Sequence, residues 1–201
     1  MITGLVLAAG QSKRMGALKQ LLPFGDQTVI GHVLRTLMRS RIGKEVVVVL
    51  GHRAEEIAGH ISGLPVRMAY NPDPEGDMLS SIRCGLAYIP PDQPILLALS
   101  DQPLITPAIL DKLIAEYERN PEGIVLPVYD GSRGHPMIVS PMYREEILFM
   151  SDSTGMKGLR DRYADSVRLV SVDTDAVLID LDYPHEYEAA LERWREESQN
   201  Q

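Results

Sequence analysis

The sequence predicts an α/β domain with a mostly parallel central sheet and helices on both faces. Short apolar runs alternate along the 201-residue chain with longer amphipathic segments, the pattern of strands joined by crossover helices. The runs are apolar throughout rather than at every second residue, which is typical of strands covered on both faces. No repeat, low-complexity segment or long linker interrupts this alternation, so we expect one domain.

Strands and helices alternate in the first part of the chain. The predicted strands are residues 2–8, 46–50, 66–70, 95–100 and 124–127, and the predicted helices are residues 29–40, 54–61, 79–89 and 107–119. The clearest helix start is Thr106, whose hydroxyl is a good N-cap, followed by Pro107 in the first turn.

The second part of the chain predicts more strands and a final helix. The predicted strands are residues 137–139, 167–172 and 177–181, and a charged helix follows over residues 185–197. We therefore expect a single domain over residues 1–197 and a frayed tail at residues 198–201.

Composition and charge exclude several classes of protein. The chain carries 20 Lys and Arg against 28 Asp and Glu, a net charge of −8, and it has no basic block. We therefore expect no nucleic acid and no membrane surface as partner. The single cysteine, Cys84, excludes an internal disulfide framework and a cysteine-rich zinc site. No apolar run is long enough to span a bilayer, and the first charges follow the apolar N-terminal run, the reverse of a signal peptide, so a cytoplasmic location is expected.

The loop after the first predicted strand is a candidate anion site. Residues 7–10 are Leu-Ala-Ala-Gly, and small residues let backbone N–H groups approach an anion closely. Arg14 and Lys19 can add charge-assisted bonds to phosphate oxygens. The loop matches neither the Walker A pattern nor the dinucleotide fingerprint. A solvated turn with incidental cations is the alternative.

Aspartates follow or lie on predicted strands at two places, and the first of them is a candidate metal ligand from the residues alone. Asp101 follows a buried predicted strand, where a carboxylate can hold a metal over a phosphate, although a turn aspartate is the ordinary alternative. Asp180 and Asp182 are two residues apart on the last predicted strand. They are therefore expected to face opposite sides, so that only one points into the site.

The segment LAAGQSKRMGALKQLLPFG resembles the signature loop of the MobA-like nucleotidyltransferases, which share a GT-A-like fold. The resemblance implies that residues 7–10 (Leu7, Ala8, Ala9 and Gly10) bind a nucleoside triphosphate. It also implies that Arg14 and Lys19 neutralise the triphosphate and the departing pyrophosphate, and act with Asp101 as the catalytic residues. The closing segment AVLIDLDYPHEYEAA resembles the family's last motif, which makes Asp182 the second metal contact and Asp180 a supporting residue.

The segment NPDPEGDMLSSIRCGL resembles the part of the family that contacts the nucleobase. The resemblance places Asn71 near the base and lets Ser80 and Ser81, at a helix start, donate to base or phosphate. A plain loop before a helix is the alternative from the residues alone. Asp77 stands where the family usually has glycine; the left-handed backbone expected there is one that aspartate tolerates.

The segment SRGHPMIVS resembles the acceptor side of the molybdenum cofactor cytidylyltransferase branch. Gly134, His135 and Pro136 match its GHP motif, and the LAAG of the first loop is also typical of that branch. The resemblance implies Mg²⁺-dependent transfer of CMP from CTP to the terminal phosphate of molybdopterin, with release of pyrophosphate. Residues 1–100 would mainly bind the nucleotide and residues 101–197 the acceptor, and a molybdenum hydroxylase is the expected client.

Three alternatives stay open from the sequence. A guanylyltransferase for the same cofactor, or another cytidylyltransferase of the same fold, keeps the chemistry and changes a substrate. A non-catalytic escort that binds the nucleotide or the cofactor belongs to another class. The presence of Arg14, Lys19 and Asp101 argues against loss of turnover, whereas Asp77 is the feature in its favour.

Overall fold

The computed structural model describes residues 1–73, 76–150 and 155–199. Within these residues the chain forms ten strands and seven α-helices. The strands are β1 (Thr3–Ala8), β2 (Pro23–Phe24), β3 (Gln27–Thr28), β4 (Val46–Leu50), β5 (Arg67–Tyr70), β6 (Ile95–Leu99), β7 (Ile124–Tyr129), β8 (Ser132–Arg133), β9 (Met137–Val139) and β10 (Val167–Ser171). The helices are α1 (Val29–Arg39), α2 (Ala54–Ile61), α3 (Met78–Leu86), α4 (Pro107–Arg119), α5 (Arg144–Phe149), α6 (Gly155–Arg162) and α7 (Pro184–Gln199).

Eight of these strands form one central sheet. Its order is β10-β7-β9-β6-β1-β4-β5, and β8 pairs with β7 beside this path. Strand β9 runs antiparallel to both of its neighbours and β8 runs antiparallel to β7, whereas the other pairs are parallel. The prediction of a single α/β domain with a mostly parallel sheet is therefore confirmed. Strands β2 and β3 form a separate hairpin that the sequence did not predict.

Both faces of the sheet are covered, as the apolar strands predicted. In β1, Val6 and Ala8 pack into a core with α1, α2 and α4. Leu5 and Leu7 point the other way, into a core with α3, α5 and α6. Alternate residues of one strand thus fill two different cores, which is why residues 5–8 of the strand are all apolar.

The predicted strand over residues 177–181 is wrong. The chain forms a short 3-10 turn at Asp175–Leu178 and continues without regular structure. It is tied down by isolated bonds to two other segments: the Val177 carbonyl accepts from the His135 N–H at 2.9 Å, and the Leu181 N–H donates to the Asp101 carbonyl at 3.0 Å. Val177 and Leu181 are apolar because both are fully buried, not because a strand pairs there.

The C-terminal helix packs on the β2–β3 hairpin and closes a third core. The Trp194 ring lies 5.4 Å from the Phe24 ring, between ring centres. Helix α7 continues to Gln199, past the predicted end at residue 197, and residues 200–201 of the expected tail lie outside the described residues. In the described part of the chain, no helix combines the length and the apolar character that crossing a membrane requires.

Candidate active site

A cavity of about 360 Å³ opens at the carboxyl ends of β1 and β6. Seven of the residues that line it were predicted as site residues from the sequence: Leu7, Ala9, Gly10, Lys19, Ser81, Asp101 and Asp182. Ser81 comes from the first turn of α3. The cavity therefore lies where open α/β sheets place their ligands, outside the carboxyl ends of neighbouring parallel strands.

The ammonium group of Lys19 bridges two of the predicted aspartates. It donates to Asp101 Oδ2, and to Asp182 Oδ1 at 2.9 Å, and only 10% of its side chain is exposed. Burial by itself would lower the pKa of Lys19, but the charges and hydrogen bonds of the two carboxylates outweigh burial and raise it. Lys19 is therefore a fixed positive charge at the floor of the cavity.

Arg14 joins this cluster from the outer part of the first loop. Its guanidinium donates to Asp182 Oδ2 and, at 3.4 Å, to the hydroxyl of Tyr183, and it lies 5.1 Å from the centre of the Tyr183 ring. The hydrogen bond to Tyr183 and the charge of Asp182 raise the pKa of Arg14. Because its side chain is 58% exposed, Arg14 can reorient toward a ligand at little cost.

Asp180 and Asp182 both line the cavity, so the expectation that they face opposite sides is wrong. They lie in an irregular segment, where the two-residue alternation of a strand does not apply. Burial would raise the pKa of Asp182, but Lys19 and Arg14 hold it below its usual value. Asp180 accepts a 2.7 Å bond from Gln102 Nε2. Burial and the neighbouring charge of Asp101 raise its pKa.

The carboxylates suit a divalent cation bound together with phosphate. Asp101 Oδ1 is buried without a hydrogen-bond partner, so one oxygen at the cavity floor awaits a cation or donor. Among the described residues, no group of three or more His, Cys, Asp or Glu side chains is arranged to hold a metal ion by itself. Mg²⁺ bound to phosphates takes only one or two protein carboxylates and keeps several waters, so Asp101 and Asp182 fit this need.

The base-side residues form a hydrogen-bonded hub. Asn71, at the end of β5, donates through Nδ2 to the hydroxyls of Ser80 and Ser81, at 3.0 and 3.1 Å, and accepts from the Asp73 N–H at 3.0 Å. The Ser80 hydroxyl donates to the Asp77 carbonyl at 2.9 Å. Of the three predicted residues only Ser81 reaches the cavity, whereas Asn71 and Ser80 join β5 to α3.

Asp77 caps the N-terminus of helix α3, a role that the sequence analysis did not predict. Its carboxylate accepts from the Ser80 N–H at 2.9 Å and caps α3. Its backbone is extended, with φ −76°, so the left-handed turn expected at this position is absent. A cap of this kind explains why aspartate is accommodated where the resemblance expects glycine, although the carboxylate also lines the cavity.

Two polar residues that shape the first loop were missed. Gln20 is fully buried, donates to the Gly10 carbonyl at 3.3 Å and accepts from the Ser12 hydroxyl at 3.1 Å. Ser12 takes a left-handed backbone, φ 54°, and its oxygen accepts from the Lys19 N–H at 3.3 Å. The loop therefore closes on itself and aims Lys19 inward. Ala8 turns its side chain into the core, which leaves only its backbone available to a ligand.

The predicted acceptor residues lie outside the cavity lining but next to it. Gly134 leaves no room for a side chain, since a Cβ would lie 2.2 Å from the Val177 carbonyl oxygen. The His135–Pro136 peptide is cis. Burial and the positive charge of Arg160 lower the pKa of His135 to about 4, and the charge of Asp101 opposes them. His135 is therefore neutral at pH 7 and within electrostatic reach of the cavity floor.

Comparison with known proteins identifies the relatives of this chain. The model of the MobA-like NTP transferase domain matches residues 4–167. A molybdenum cofactor cytidylyltransferase of Escherichia coli is 24% identical over 196 residues, 96% of each chain. A nicotine blue oxidoreductase of Paenarthrobacter nicotinovorans is 31% identical over 154 residues, 73% of this chain and 74% of that protein.

Solved structures show the same fold. A nucleotidyl transferase from a Methanothermobacter species superposes with a TM-score of 0.84 at 25% identity, covering 98% of both chains. A Mycobacterium tuberculosis protein solved as a complex with manganese superposes with a TM-score of 0.74 at 30% identity, covering 95% of this chain and 98% of that one. With the match to the family model over most of its length, the chain belongs to the MobA-like NTP transferase family and is a nucleotidyltransferase by descent and fold.

Proposed function

We propose that this protein transfers CMP from CTP to the terminal phosphate of molybdopterin and releases pyrophosphate. The observation that carries the proposal is the buried Lys19 ammonium between Asp101 and Asp182 at the carboxyl ends of the central strands. Such a cluster holds both charges that the reaction needs: a cation for the polyphosphate and carboxylates for Mg²⁺. A terminal phosphate of the acceptor attacks the α-phosphorus, a new P–O bond forms, and the bond to the β-phosphate breaks.

The chain's own residues act by positioning and by charge. Small residues at Ala9 and Gly10 let backbone N–H groups approach the triphosphate. Lys19 and Arg14 exchange their carboxylate partners for the β- and γ-phosphate oxygens and stabilise the charge of the leaving pyrophosphate. Asp101 and Asp182, once released from Lys19, would hold Mg²⁺, which would supply further charge neutralisation. No covalent intermediate is needed, because the acceptor is already an anion and requires mainly orientation.

The choice of CTP and molybdopterin rests on resemblance rather than on the cavity. The Leu-Ala-Ala-Gly loop and the Gly134-His135-Pro136 segment resemble those of the cytidylyltransferase branch, and the Escherichia coli relative matched over 96% of its length carries that activity by name. Within the proposal, residues 1–100 mainly bind CTP and residues 101–197 mainly bind the acceptor. A molybdenum hydroxylase in the cytoplasm is the proposed recipient of the product.

A second candidate is an oxidoreductase activity. It is favoured by one observation, the 31% identity to nicotine blue oxidoreductase. The paired Lys19 and Asp101 argue for polyphosphate chemistry, since hydride transfer does not need a metal-binding carboxylate beside a buried ammonium. A guanylyltransferase or another cytidylyltransferase would use the same cluster.

The test is pyrophosphate release with Mg²⁺, molybdopterin with and without molybdate, and CTP, GTP, ATP or UTP in turn. We expect release with CTP that depends on molybdopterin and stops in Asp101→Asn. Asp92→Asn, a change at a carboxylate remote from the cavity, is the control and should leave the rate unchanged.

Release only with GTP would overturn the choice of nucleotide. Oxidation of NADH or NADPH by a blue quinone-like dye, without pyrophosphate release, would favour the oxidoreductase. Tight nucleotide binding without any turnover would favour the escort.

A further inference from the structure

Two arginines and the neutral His135 form a second group of interest, outside the lining of the cavity. We call Arg133, His135 and Arg160 the basic wall. Arg133 ends the short edge strand β8, His135 follows it two residues later, and Arg160 comes from the last turn of α6. The sequence analysis assigned Gly134, His135 and Pro136 to the acceptor, and it gave no role to either arginine.

Two nitrogen atoms of the basic wall are buried without partners. Among the described residues, neither His135 Nδ1 nor Arg160 Nε has a hydrogen-bond partner, and neither atom is accessible to water. Buried polar atoms of this kind are rare in folded proteins and usually mark a ligand or water site. A bound anion would accept from Arg160 Nε, and from His135 Nδ1 in the tautomer that carries its proton there.

The charges of the basic wall are not neutralised by ion pairs. Burial and the nearby charge of Arg133 lower the pKa of Arg160, and only Asp161 opposes them. The ion pairs of the described residues include neither Arg133 nor Arg160, whereas Arg162, on the same helix as Arg160, pairs with Glu146 of α5. Two guanidinium groups held near each other attract an anion of more than one charge.

Backbone hydrogen bonds fix the part of the wall that carries His135. The Gly134 N–H donates to the Pro127 carbonyl at 3.0 Å, and the His135 N–H donates to the Val177 carbonyl at 2.9 Å. The Val177 carbonyl also fills the space where a side chain at residue 134 would lie. Asp101 lies close enough to His135 to influence its ionisation, so wall and cavity floor are neighbours.

We propose that Arg133, His135 and Arg160 bind the phosphomonoester group of the acceptor and hold it against the triphosphate site. The inference deepens the proposed nucleotidyl transfer and rests on it. A phosphomonoester carries up to two negative charges and must approach a triphosphate that is also negative, so it needs cations of its own. The two arginines supply them, and neutral His135 supplies one N–H donor to a phosphate oxygen.

The test compares Arg160→Gln and Arg133→Gln with Arg162→Gln, a matched control on helix α6 whose partner is Glu146. In the pyrophosphate assay we expect the KM for molybdopterin to rise at least tenfold in the first two variants, with the KM for CTP within twofold of wild type. Arg162→Gln should change neither. An unchanged KM for molybdopterin in both wall variants would overturn the inference. Arg133 lies exposed at the sheet edge, so its variant is expected to fold even if Arg160→Gln does not.

A direct binding measurement separates this inference from the proposed function. Calorimetric titration with phenyl phosphate should show binding to wild type and Arg162→Gln, and at least tenfold weaker binding to Arg160→Gln and Arg133→Gln. If wild type binds phenyl phosphate in this way but releases no pyrophosphate with any nucleotide, the proposed function fails and the anion site stands. If wild type does not bind phenyl phosphate, or all variants bind it equally, the anion site fails.

Discussion

The two parts of the site differ in whether their positive side chains are paired with carboxylates. On the nucleotide side, Lys19 and Arg14 are paired with Asp101 and Asp182, so the cluster neutralises itself without a ligand. On the proposed acceptor side, the charge of Arg133 lowers the pKa of Arg160, and neither arginine forms an ion pair among the described residues. For the proposed reaction we therefore expect nucleotide and metal to replace existing ion pairs, whereas the acceptor anion would bind beside these two arginines.

The largest effect should come from removing the central cation of the nucleotide side. Lys19→Met removes the charge that meets the leaving phosphates, and we expect kcat to fall about 10³-fold, as when a preorganised electrostatic donor is lost. Lys13→Met, a change at an exposed lysine of the same loop, is the control and should lower kcat less than about twofold. A Lys19→Met enzyme with near-normal kcat would contradict the role of the cluster.

The next effect concerns the rigidity of the acceptor side. In Gly134→Ala, the new Cβ would lie 2.2 Å from the Val177 carbonyl oxygen, so the backbone must shift. We expect the free energy of unfolding to fall by about 1–3 kcal/mol, measured by urea denaturation. Gly59→Ala, at a helical glycine with open space around it, should be neutral or slightly stabilising. Equal stability of both variants would show that the wall is not fixed at this point.

The acceptor side also predicts a pH dependence of stability. The pKa of His135 is about 4 in the folded protein, below its ordinary 6.5. Between pH 6.5 and 4 the imidazole of residue 135 is protonated in the unfolded chain but still neutral in the folded chain. The stability that this difference gives the folded protein above pH 6.5 is therefore lost progressively as the pH falls toward 4. It amounts to about 3 kcal/mol at most.

The measurement for this prediction is the unfolding free energy of wild type and His135→Gln between pH 4 and 8. The gap between the two proteins should change in that window, with wild type losing more stability as the pH falls. Parallel curves would mean that His135 titrates normally and is accessible to solvent.

The smallest effect tests the cap at the rim of the nucleotide side. Asp77→Ala removes the acceptor for the Ser80 N–H and should lower stability by about 1 kcal/mol, whereas Asp77→Gly should lower it by only a few tenths. Both variants also remove a negative charge from the cavity lining, so the affinity for CTP should rise modestly. Lower affinity for CTP in both variants would show that the carboxylate takes part in binding.

Most of the sheet and the residues of the central cluster could be predicted from the sequence, but not the ion pairs among them. Strand β9 and helix α4 have the predicted bounds, since a continuous apolar run and a Thr-Pro cap are local signals. Lys19, Asp101 and Asp182 were each predicted as site residues, and the structure brings them into one cluster. Parallel strands end at one edge of a sheet, so residues that follow them meet there whatever their distance in sequence.

Most of the other features could not be predicted, because they depend on contacts between segments that are distant in sequence. The apolar residues at positions 177–181 imitate a strand because burial alone requires them to be apolar. Arg160 belongs to a short helix with an unremarkable charged sequence, and its importance comes from its position beside His135. At Asp77 we expected a left-handed backbone, but the backbone is extended. The Asp77 carboxylate instead accepts a hydrogen bond from the free Ser80 N–H at the start of α3.

The most direct test of the account is a crystal structure of the protein with Mg²⁺ and a non-hydrolysable CTP analogue. The account predicts that Lys19 Nζ leaves Asp101 and Asp182 and contacts a phosphate oxygen, while the cation lies between the two carboxylates. A triphosphate bound elsewhere, with the bridge from Lys19 to both aspartates intact, would contradict the account.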